Sequence, residues 1–383
     1  MKLAIVTFHR ANNYGAVLQC YALNRAMLNK GIDCEVLDYA PGYFTRMYRV
    51  LPKKTLTKRG IKTLLCHVLL RKMLKARNEK FADFVSCRLK LSAKTFDTPD
   101  EADLTGYDAV ITGSDQVWNP TAAEFDRIFF LYGKGFENLK KYSYAASFGL
   151  DKLPEHLTEE YQNRLNDYCR ISVREKSAVP IVEALTGKAP VVSCDPTFLL
   201  NADDWKALAG EKPLVPGDYI FLYYVKQPKE IRAYAKKLAA QTKCRVICTS
   251  CYFTKVPGTL YRYMGGKADA EDGFETMNAV SPDEFLNLIL HAKYVLCSSF
   301  HGTVFSILFE KRFLSQTVWG DGSKNDRVEN LLALAGLSHR TISSPDAAID
   351  TAEDWEAVGS RIDVLRNDGH QYLETIVTDD REA

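Results

Sequence analysis

The sequence lacks the long apolar segments that mark membrane-spanning or exported proteins. No stretch approaches the roughly 20 apolar residues that a transmembrane helix needs. The first residues, MKLAIVTFHR, contain an apolar run of only five or six, shorter than the roughly 7–15 residues of a signal-peptide core. We therefore expect a cytoplasmic protein.

A charge excess of either sign is also missing. The 383 residues include 50 Lys and Arg and 48 Asp and Glu, for a formal net charge of +2. A protein that binds nucleic acid through its phosphates normally shows a basic excess. We expect no nucleic-acid partner, and any anion site must be a local one.

Cysteine is present, with ten residues, but not in the arrangement of a disulfide framework. Cys244, Cys248 and Cys251 have the C-x3-C-x2-C spacing of an iron–sulfur site, yet residues 245–249 have the pattern of a buried strand, which turns alternate side chains to opposite faces. We expect no metal and no bound cofactor. The cysteines that lie inside apolar runs are predicted to be small core residues: Cys20, Cys34, Cys194 and Cys297.

The order of patterns predicts an α/β protein. A chain of this length exceeds one hydrophobic core, and short apolar strands alternate with helical patterns in both halves. We predict two Rossmann-like, doubly wound domains, residues 1–200 and 201–383, that face each other across a cleft. The segment 191–200 together with the polar run 201–218 is the predicted hinge, and the active site is expected in the cleft.

Residues 53–88 form a long basic segment with helical apolar spacing. Two interpretations remain open. A helix with a solvated basic face is the more common case, and a helix that lies on a membrane surface is the alternative. Peripheral membrane association is therefore retained as a candidate partner interaction.

The loop after the first predicted strand, residues 3–8, is N-N-Y-G-A. It lacks both G-x-G-x-x-G and the Walker lysine, so dinucleotide and P-loop binding are not supported. Gly15 is predicted to serve a tight turn or the close approach of a ligand. Asn12 and Asn13 either contact that ligand or favour the turn.

The second candidate site is G-S-D-Q-V-W-N, which follows the predicted strand 108–113. Polar groups directly after a buried strand are costly unless they bind a ligand or each other. Its candidate residues are Ser114, Asp115, Gln116 and Trp118. Arg174 ends another predicted strand, 170–174, at the same edge of the sheet. It is expected to contact an anion, with a surface salt bridge as the alternative.

The third candidate site lies in Y-V-L-C-S-S-F-H-G-T, where a predicted strand from Tyr294 to Ser298 turns into a helix. The N–H groups and dipole at a helix N-terminus favour an anion. They also favour neutral His301, which could then transfer a proton near neutral pH; a capping or core role is the alternative. The neighbouring candidates are Ser299, Gly302 and Thr303. Lys324 and Arg327 flank a later helix start and either bind phosphate or lie on a solvated face.

Together these motifs resemble the polysaccharide pyruvyl transferase family. The resemblance rests on N-N-Y-G-A, G-S-D-Q-V-W-N and S-F-H-G-T in order, with V-R-E-K, D-P-T-F-L-L and K-N-D-R-x-x-x-L-L between and after them. It implies the two-Rossmann fold of many glycosyltransferases (GT-B-like). It also implies transfer of a pyruvyl ketal from phosphoenolpyruvate, the donor, to two hydroxyls of a carbohydrate or lipid-linked glycan. His301 and Arg174 match family residues assigned to phosphoenolpyruvate.

The chain departs from the family pattern at one position. Ser299 stands where members often carry the arginine of Arg-Leu-His, so either Lys324 and Arg327 replace that arginine or the donor differs. The reaction requires a proton shuttle and positive charge, which His301 and Arg174 would supply. Asp115 is either a base for a sugar hydroxyl or a cap of its own loop. The alternatives are a sugar-nucleotide glycosyltransferase and a catalytically inactive glycan-binding relative.

Overall fold

The computed structural model describes residues 1–51, 58–121, 126–224, 229–250, 269–318, 325–342 and 347–378. Two parallel sheets flanked by helices form its framework. Lys324 and Cys251, both considered above, lie outside the described residues.

The first sheet has four parallel strands in the order β2-β1-β3-β4. A parallel pair, β5 and β6, continues it through isolated bridges such as Ala146–Val173. All four residues of β3 are buried, as expected for a sheet covered on both faces. The strands are β1 (Lys2–Val6), β2 (Asp33–Val36), β3 (Ala109–Thr112), β4 (Lys140–Ser143), β5 (Ser172–Val173) and β6 (Val191–Val192), and the helices are α1 (Tyr14–Asn29), α2 (Gly42–Met47), α3 (Lys58–Arg88), α4 (Thr158–Leu165) and α5 (Val179–Thr186).

The second sheet has five parallel strands in the order β11-β10-β7-β8-β9. Its central strand, β7, is buried throughout. The strands are β7 (Tyr219–Tyr224), β8 (Arg245–Ser250), β9 (Glu275–Thr276), β10 (Tyr294–Cys297) and β11 (Arg312–Ser315), and the helices of this half are α6 (Ala202–Ala209), α7 (Lys229–Thr242), α8 (Pro282–Leu290), α9 (Phe300–Leu308), α10 (Asp326–Ala335) and α11 (Trp355–Thr378).

The two halves share a continuous apolar core. The Tyr14 ring of α1 stacks on Phe285 of α8 with centroids 4.4 Å apart. The last helix, α11, also returns to the first half, where the Tyr372 hydroxyl donates a hydrogen bond to the Ser143 carbonyl. The predicted boundary at residue 200 stays a prediction, because α11 belongs to the later half in sequence but packs on the earlier one.

The predicted strands occur at the predicted places, and most of them are shorter than predicted. Residues 140–149 were expected to be one strand, and β4 ends at Ser143 because Ala145 has a φ of +49°, which breaks the extended backbone. Cys248 lies in β8 and is fully buried. In the described part of α3 and of every other helix, no segment is long and apolar enough to cross a membrane.

Candidate active site

The three sequence motifs meet where α1 and α9 touch at their N-termini. A Cβ atom placed on Gly15 would lie 2.0 Å from Nδ1 of His301. Only a glycine leaves room for the imidazole, so the close approach expected at Gly15 is made by a side chain of the second half. The first motif therefore positions the histidine of the third.

Asp195 is the centre of this site, and its carboxylate is completely buried. Its Oδ1 accepts hydrogen bonds from the N–H and hydroxyl of Thr197, at 3.0 and 2.7 Å. Its Oδ2 accepts from Nη1 of Arg174 at 3.0 Å and from the Ser114 hydroxyl at 3.4 Å. Burial alone would raise the pKa of Asp195, but His301, Arg174 and the Thr197 N–H hold it well below its usual range. The residue is an anion that organises its neighbours.

Sequence reasoning did not select Asp195, although its segment, D-P-T-F-L-L, was part of the family resemblance. One signal was available. Asp195 is a single acid between two apolar runs, immediately before a proline, where an aspartate commonly caps a turn or short helix. Its carboxylate does cap the short 3₁₀ helix Pro196–Phe198.

Arg174 is held by carboxylates of the first half. Besides Asp195, its Nε donates to Glu175 at 2.9 Å, and its guanidinium lies 5.1 Å from the centre of the Phe300 ring. Nη2 is 3.9 Å from Oδ1 of Asp115 and is buried with no hydrogen-bond partner among the described residues. Although burial opposes the charged form, these carboxylates raise the pKa of Arg174. The salt bridge is therefore present, although it is buried and not on the surface, and the contact of Arg174 with an anionic ligand stays a prediction.

His301 lies in the first turn of α9 at the end of β10. Its Nε2 is 3.5 Å from Oδ2 of Asp195, beyond the usual range of a hydrogen bond. That nitrogen is buried and unpaired among the described residues. Ser299 occupies the N-cap position, but its side chain makes no capping bond. Nε2 of His301 thus lies beside the buried Asp195 carboxylate and makes no hydrogen bond with the described residues.

Asp115 has the capping role that was one of its two predicted roles. It has a φ of +79°, a left-handed conformation that Asp tolerates better than most residues, and its Oδ1 accepts the Gln116 N–H at 2.9 Å. The same oxygen faces Arg174. Asp115 therefore caps its own loop at the site, and its role as a base stays a prediction.

Three further candidates have structural roles. The Trp118 ring is fully buried and its indole N–H donates to the Phe129 carbonyl at 2.9 Å, and the buried Thr303 hydroxyl bonds to the Ser299 carbonyl and to Ser315. Contact of either residue with a ligand stays a prediction. A Cβ on Gly302 would lie 3.1 Å from both Cys297 and Tyr223, so this glycine permits close packing on β10.

Two polar candidates also have partners within the protein. The Asn13 side chain accepts from the Gly15 and Ala16 N–H groups and caps α1, which supports the turn interpretation. The Gln116 carbonyl oxygen accepts from the Asn119 amide at 2.9 Å. These side chains shape the loops around the site, and their contact with a ligand stays a prediction.

A cavity of about 490 Å³ adjoins this cluster and is lined by both charged and apolar residues. Arg174, Glu175, Asp195 and Arg327 are among the charged ones. Arg327 makes no hydrogen bond or ion pair with the described residues, and burial together with Arg174 lowers its pKa. A second guanidinium is therefore available for a ligand. The large apolar residues that line the cavity include Phe198, Phe300, Leu331, Leu334 and Leu365.

The two Rossmann-like sheets with their flanking helices define a GT-B-like fold. A putative UDP-N-acetylglucosamine 2-epimerase from Listeria monocytogenes has this fold, with 10% identity and a TM-score of 0.50 over 100% of this chain and 97% of that one. The UDP-GlcNAc 2-epimerase of Methanocaldococcus jannaschii gives 12% identity and 0.46 over 99% and 100%. No curated protein sequence matches this chain.

The family is identified by sequence. The profile of the polysaccharide pyruvyl transferase family matches residues 13–315, which contain Asp195, the second and third motifs, and the first motif from Asn13 onward. The chain belongs to the polysaccharide pyruvyl transferase family. No group of three or more potential metal-ligating side chains was found in the described ranges.

Proposed function

We propose that this protein transfers a pyruvyl group from phosphoenolpyruvate to two hydroxyls of a sugar in a cell-surface polysaccharide precursor, forming a cyclic ketal in the cytoplasm. The observation that carries the proposal is that His301 Nε2 and Arg174 Nη2, both buried without a hydrogen-bond partner among the described residues, belong to side chains that lie beside Asp195, and that the Arg327 guanidinium lines the same cavity as Arg174 and Asp195. A donor with a carboxylate, a phosphate and a carbon that must be protonated needs such groups.

The two arginines would bind the donor's anionic groups. A guanidinium offers planar, paired N–H groups that match carboxylate or phosphate oxygens. Arg174 is oriented by Glu175 and Asp195, so only its remaining edge is available. Arg327 would then take the place of the family arginine that is absent at Ser299, since it reaches the same cavity from α10.

His301 would move the proton. The methylene carbon of the donor gains a proton and becomes a methyl group, and one sugar hydroxyl bonds to the adjacent carbon. The carbon–oxygen bond to phosphate then breaks, and the second hydroxyl closes the ketal. Of the two hydroxyl protons, one ends on the methyl group and the other leaves with phosphate. Asp195 would stabilise the imidazolium form between these transfers.

The reaction is tested by phosphate release and product mass. Purified protein is incubated with phosphoenolpyruvate and a panel of sugars and lipid-linked glycans, and mass spectrometry follows the gain of one pyruvyl ketal. We expect release that depends on one acceptor class. Release independent of every acceptor would count against transfer. A product formed only from a nucleoside diphosphate sugar would establish the glycosyltransferase alternative, and glycan binding with no donor consumed would establish the inactive relative.

A further inference from the structure

The long helix α3 exposes an apolar surface that no part of the described chain covers. Four of its large side chains are more than half exposed: Ile61, Leu65, Val68 and Leu69, at 52, 59, 54 and 65%. Their spacing places all four on one face of the helix. Burying such side chains from water is favourable, so an exposed cluster marks an interaction surface.

The cluster extends to the segment that precedes α3. Met47 and Leu51 are also exposed, and Nδ1 of His67 lies 2.9 Å from the Val50 carbonyl, which ties this segment to the helix. Six of the thirteen large apolar side chains exposed in the described ranges therefore fall within residues 47–69. The concentration distinguishes this region from the scattered exposed apolar residues of an ordinary surface.

Cations continue the same face of α3. Arg71, Lys72 and Lys75 are exposed one to two turns beyond the apolar cluster, at positions that follow its helical spacing. The opposite face, with Leu74, is buried in the protein. We call these nine residues the basic apolar surface: Met47, Leu51, Ile61, Leu65, Val68, Leu69, Arg71, Lys72 and Lys75.

The charge of the surrounding segment is extreme for this chain. Residues 39–78 contain 11 Lys and Arg and no Asp or Glu, which leaves 39 basic and 48 acidic residues for the rest. The nearly neutral net charge of the chain is therefore the sum of a strongly cationic segment and an acidic remainder. Symmetric pairing of two copies through this surface would bring like charges together, which disfavours a dimer.

We propose that the basic apolar surface binds an anionic lipid bilayer, with the apolar side chains in the acyl region and the cations at the headgroups. Both features of an interfacial helix are present, a large apolar face and adjacent Lys and Arg. The second half of α3 reaches the loop that leads into α1, since the Asn12 amide donates to Asn78 at 2.7 Å. Binding would bring that loop, and with it the N-terminus of α1 where Gly15 contacts His301, near a membrane surface. The proposal does not depend on the proposed reaction.

The test is sedimentation of the full chain with vesicles of phosphatidylcholine alone or mixed with phosphatidylglycerol. We expect binding to the mixed vesicles that decreases with added salt. Serine at Ile61, Leu65, Val68 and Leu69 together should abolish it. Glutamine at Arg71, Lys72 and Lys75 should weaken it about fivefold for each cation removed.

Matched variants test whether a loss of vesicle binding is specific to the basic apolar surface. Val364→Ser removes an exposed apolar side chain elsewhere, and the triple change of Lys134, Lys152 and Lys188 to glutamine removes three exposed cations. Neither should alter binding. Equal sedimentation of the wild type and the four-serine variant would overturn the proposal, as would wild-type protein that does not bind anionic vesicles. If light scattering shows that the wild type is a dimer and only the four-serine variant is a monomer, the surface binds a second copy of the chain instead.

Discussion

The two halves of the chain contribute opposite kinds of group to the site. The first half supplies Arg174 and Asp195, which pair with each other, and Glu175 pairs with a second edge of Arg174, so that only Nη2 is left without a hydrogen bond in the described protein. The second half supplies His301, whose Nε2 has no hydrogen-bond partner in the described protein, and Arg327, which lines the same cavity as Arg174. Paired side chains hold the geometry of the site, and unpaired groups are available to a ligand. The comparison predicts that removing the paired Asp195 lowers stability, whereas removing His301 or Arg327 impairs catalysis or donor binding and spares stability.

The largest effect is expected for Asp195→Asn. The change leaves Arg174 buried beside a neutral amide, and breaking a buried pair costs about 3–5 kcal/mol. Urea unfolding should therefore show a large loss of stability, and turnover should be lost with it. Asp203→Asn is the control, since that carboxylate is 89% exposed and should change stability by less than about 0.5 kcal/mol. Equal stability of both variants would show that the Asp195 network does not support the fold.

His301→Gln should separate catalysis from stability. Glutamine cannot shuttle a proton, so we expect turnover to fall by about 10²–10⁴-fold. The melting temperature should stay unchanged, because Nε2 makes no hydrogen bond within the described protein. His156→Gln, on the surface, should affect neither quantity. A loss of several degrees in melting temperature, with activity in proportion to folded protein, would assign His301 to the structure.

Gly15→Ala tests the contact between the halves. The new methyl group would overlap the His301 ring, so the ring must move. Turnover should fall at least tenfold, with little change in the affinity for the donor. Gly359→Ala is the matched control: its Cβ would meet nothing within 4 Å, and removing a helical glycine should stabilise the protein by about 0.5–1 kcal/mol. Normal turnover in Gly15→Ala would show that the position of the ring is not critical.

The smallest effect is expected for a buried cation away from the site. Lys311, in the second half, donates to the Leu290 carbonyl at 2.9 Å, and burial lowers its pKa to about 8. Between pH 8 and the unfolded value of about 10.4, the unfolded chain binds the extra proton, so stability rises with pH by at most about 1.4 kcal/mol per unit. Lys311→Met should remove this slope in urea titrations across that range. An identical slope in both proteins would contradict the assignment.

The sequence predicted the fold better than the site. Apolar runs such as residues 294–298 and 219–225 are sufficient to place β10 and β7, because a strand that is buried on both faces has an unbroken apolar sequence. Strand ends were less accurate, since a single left-handed residue, Ala145, ended β4 early. Local pattern does not encode such a turn at an alanine.

Site residues were predicted by type and position along the chain, but not by what they touch. Trp118 and Thr303 have polar atoms directly after strands, as ligand contacts do, yet both are satisfied by the backbone of their own half. Asp195 was missed because its partners, Arg174 and Ser114, are distant in sequence. Only tertiary structure distinguishes a buried polar group that is paired from one that is left for a ligand.

The most direct test of the comparison is calorimetric titration of phosphoenolpyruvate into the wild type and Arg327→Gln. Arg327 has no hydrogen-bond partner in the described protein, so its loss should spare the melting temperature. It should weaken donor affinity by about tenfold or more, since a hydrogen bond to a charged group contributes about 1.5–3 kcal/mol. Arg312→Gln, which removes an exposed arginine paired with Asp350, should change neither quantity. Equal affinity in the wild type and Arg327→Gln would contradict the account, as would binding of a nucleoside diphosphate with no binding of phosphoenolpyruvate.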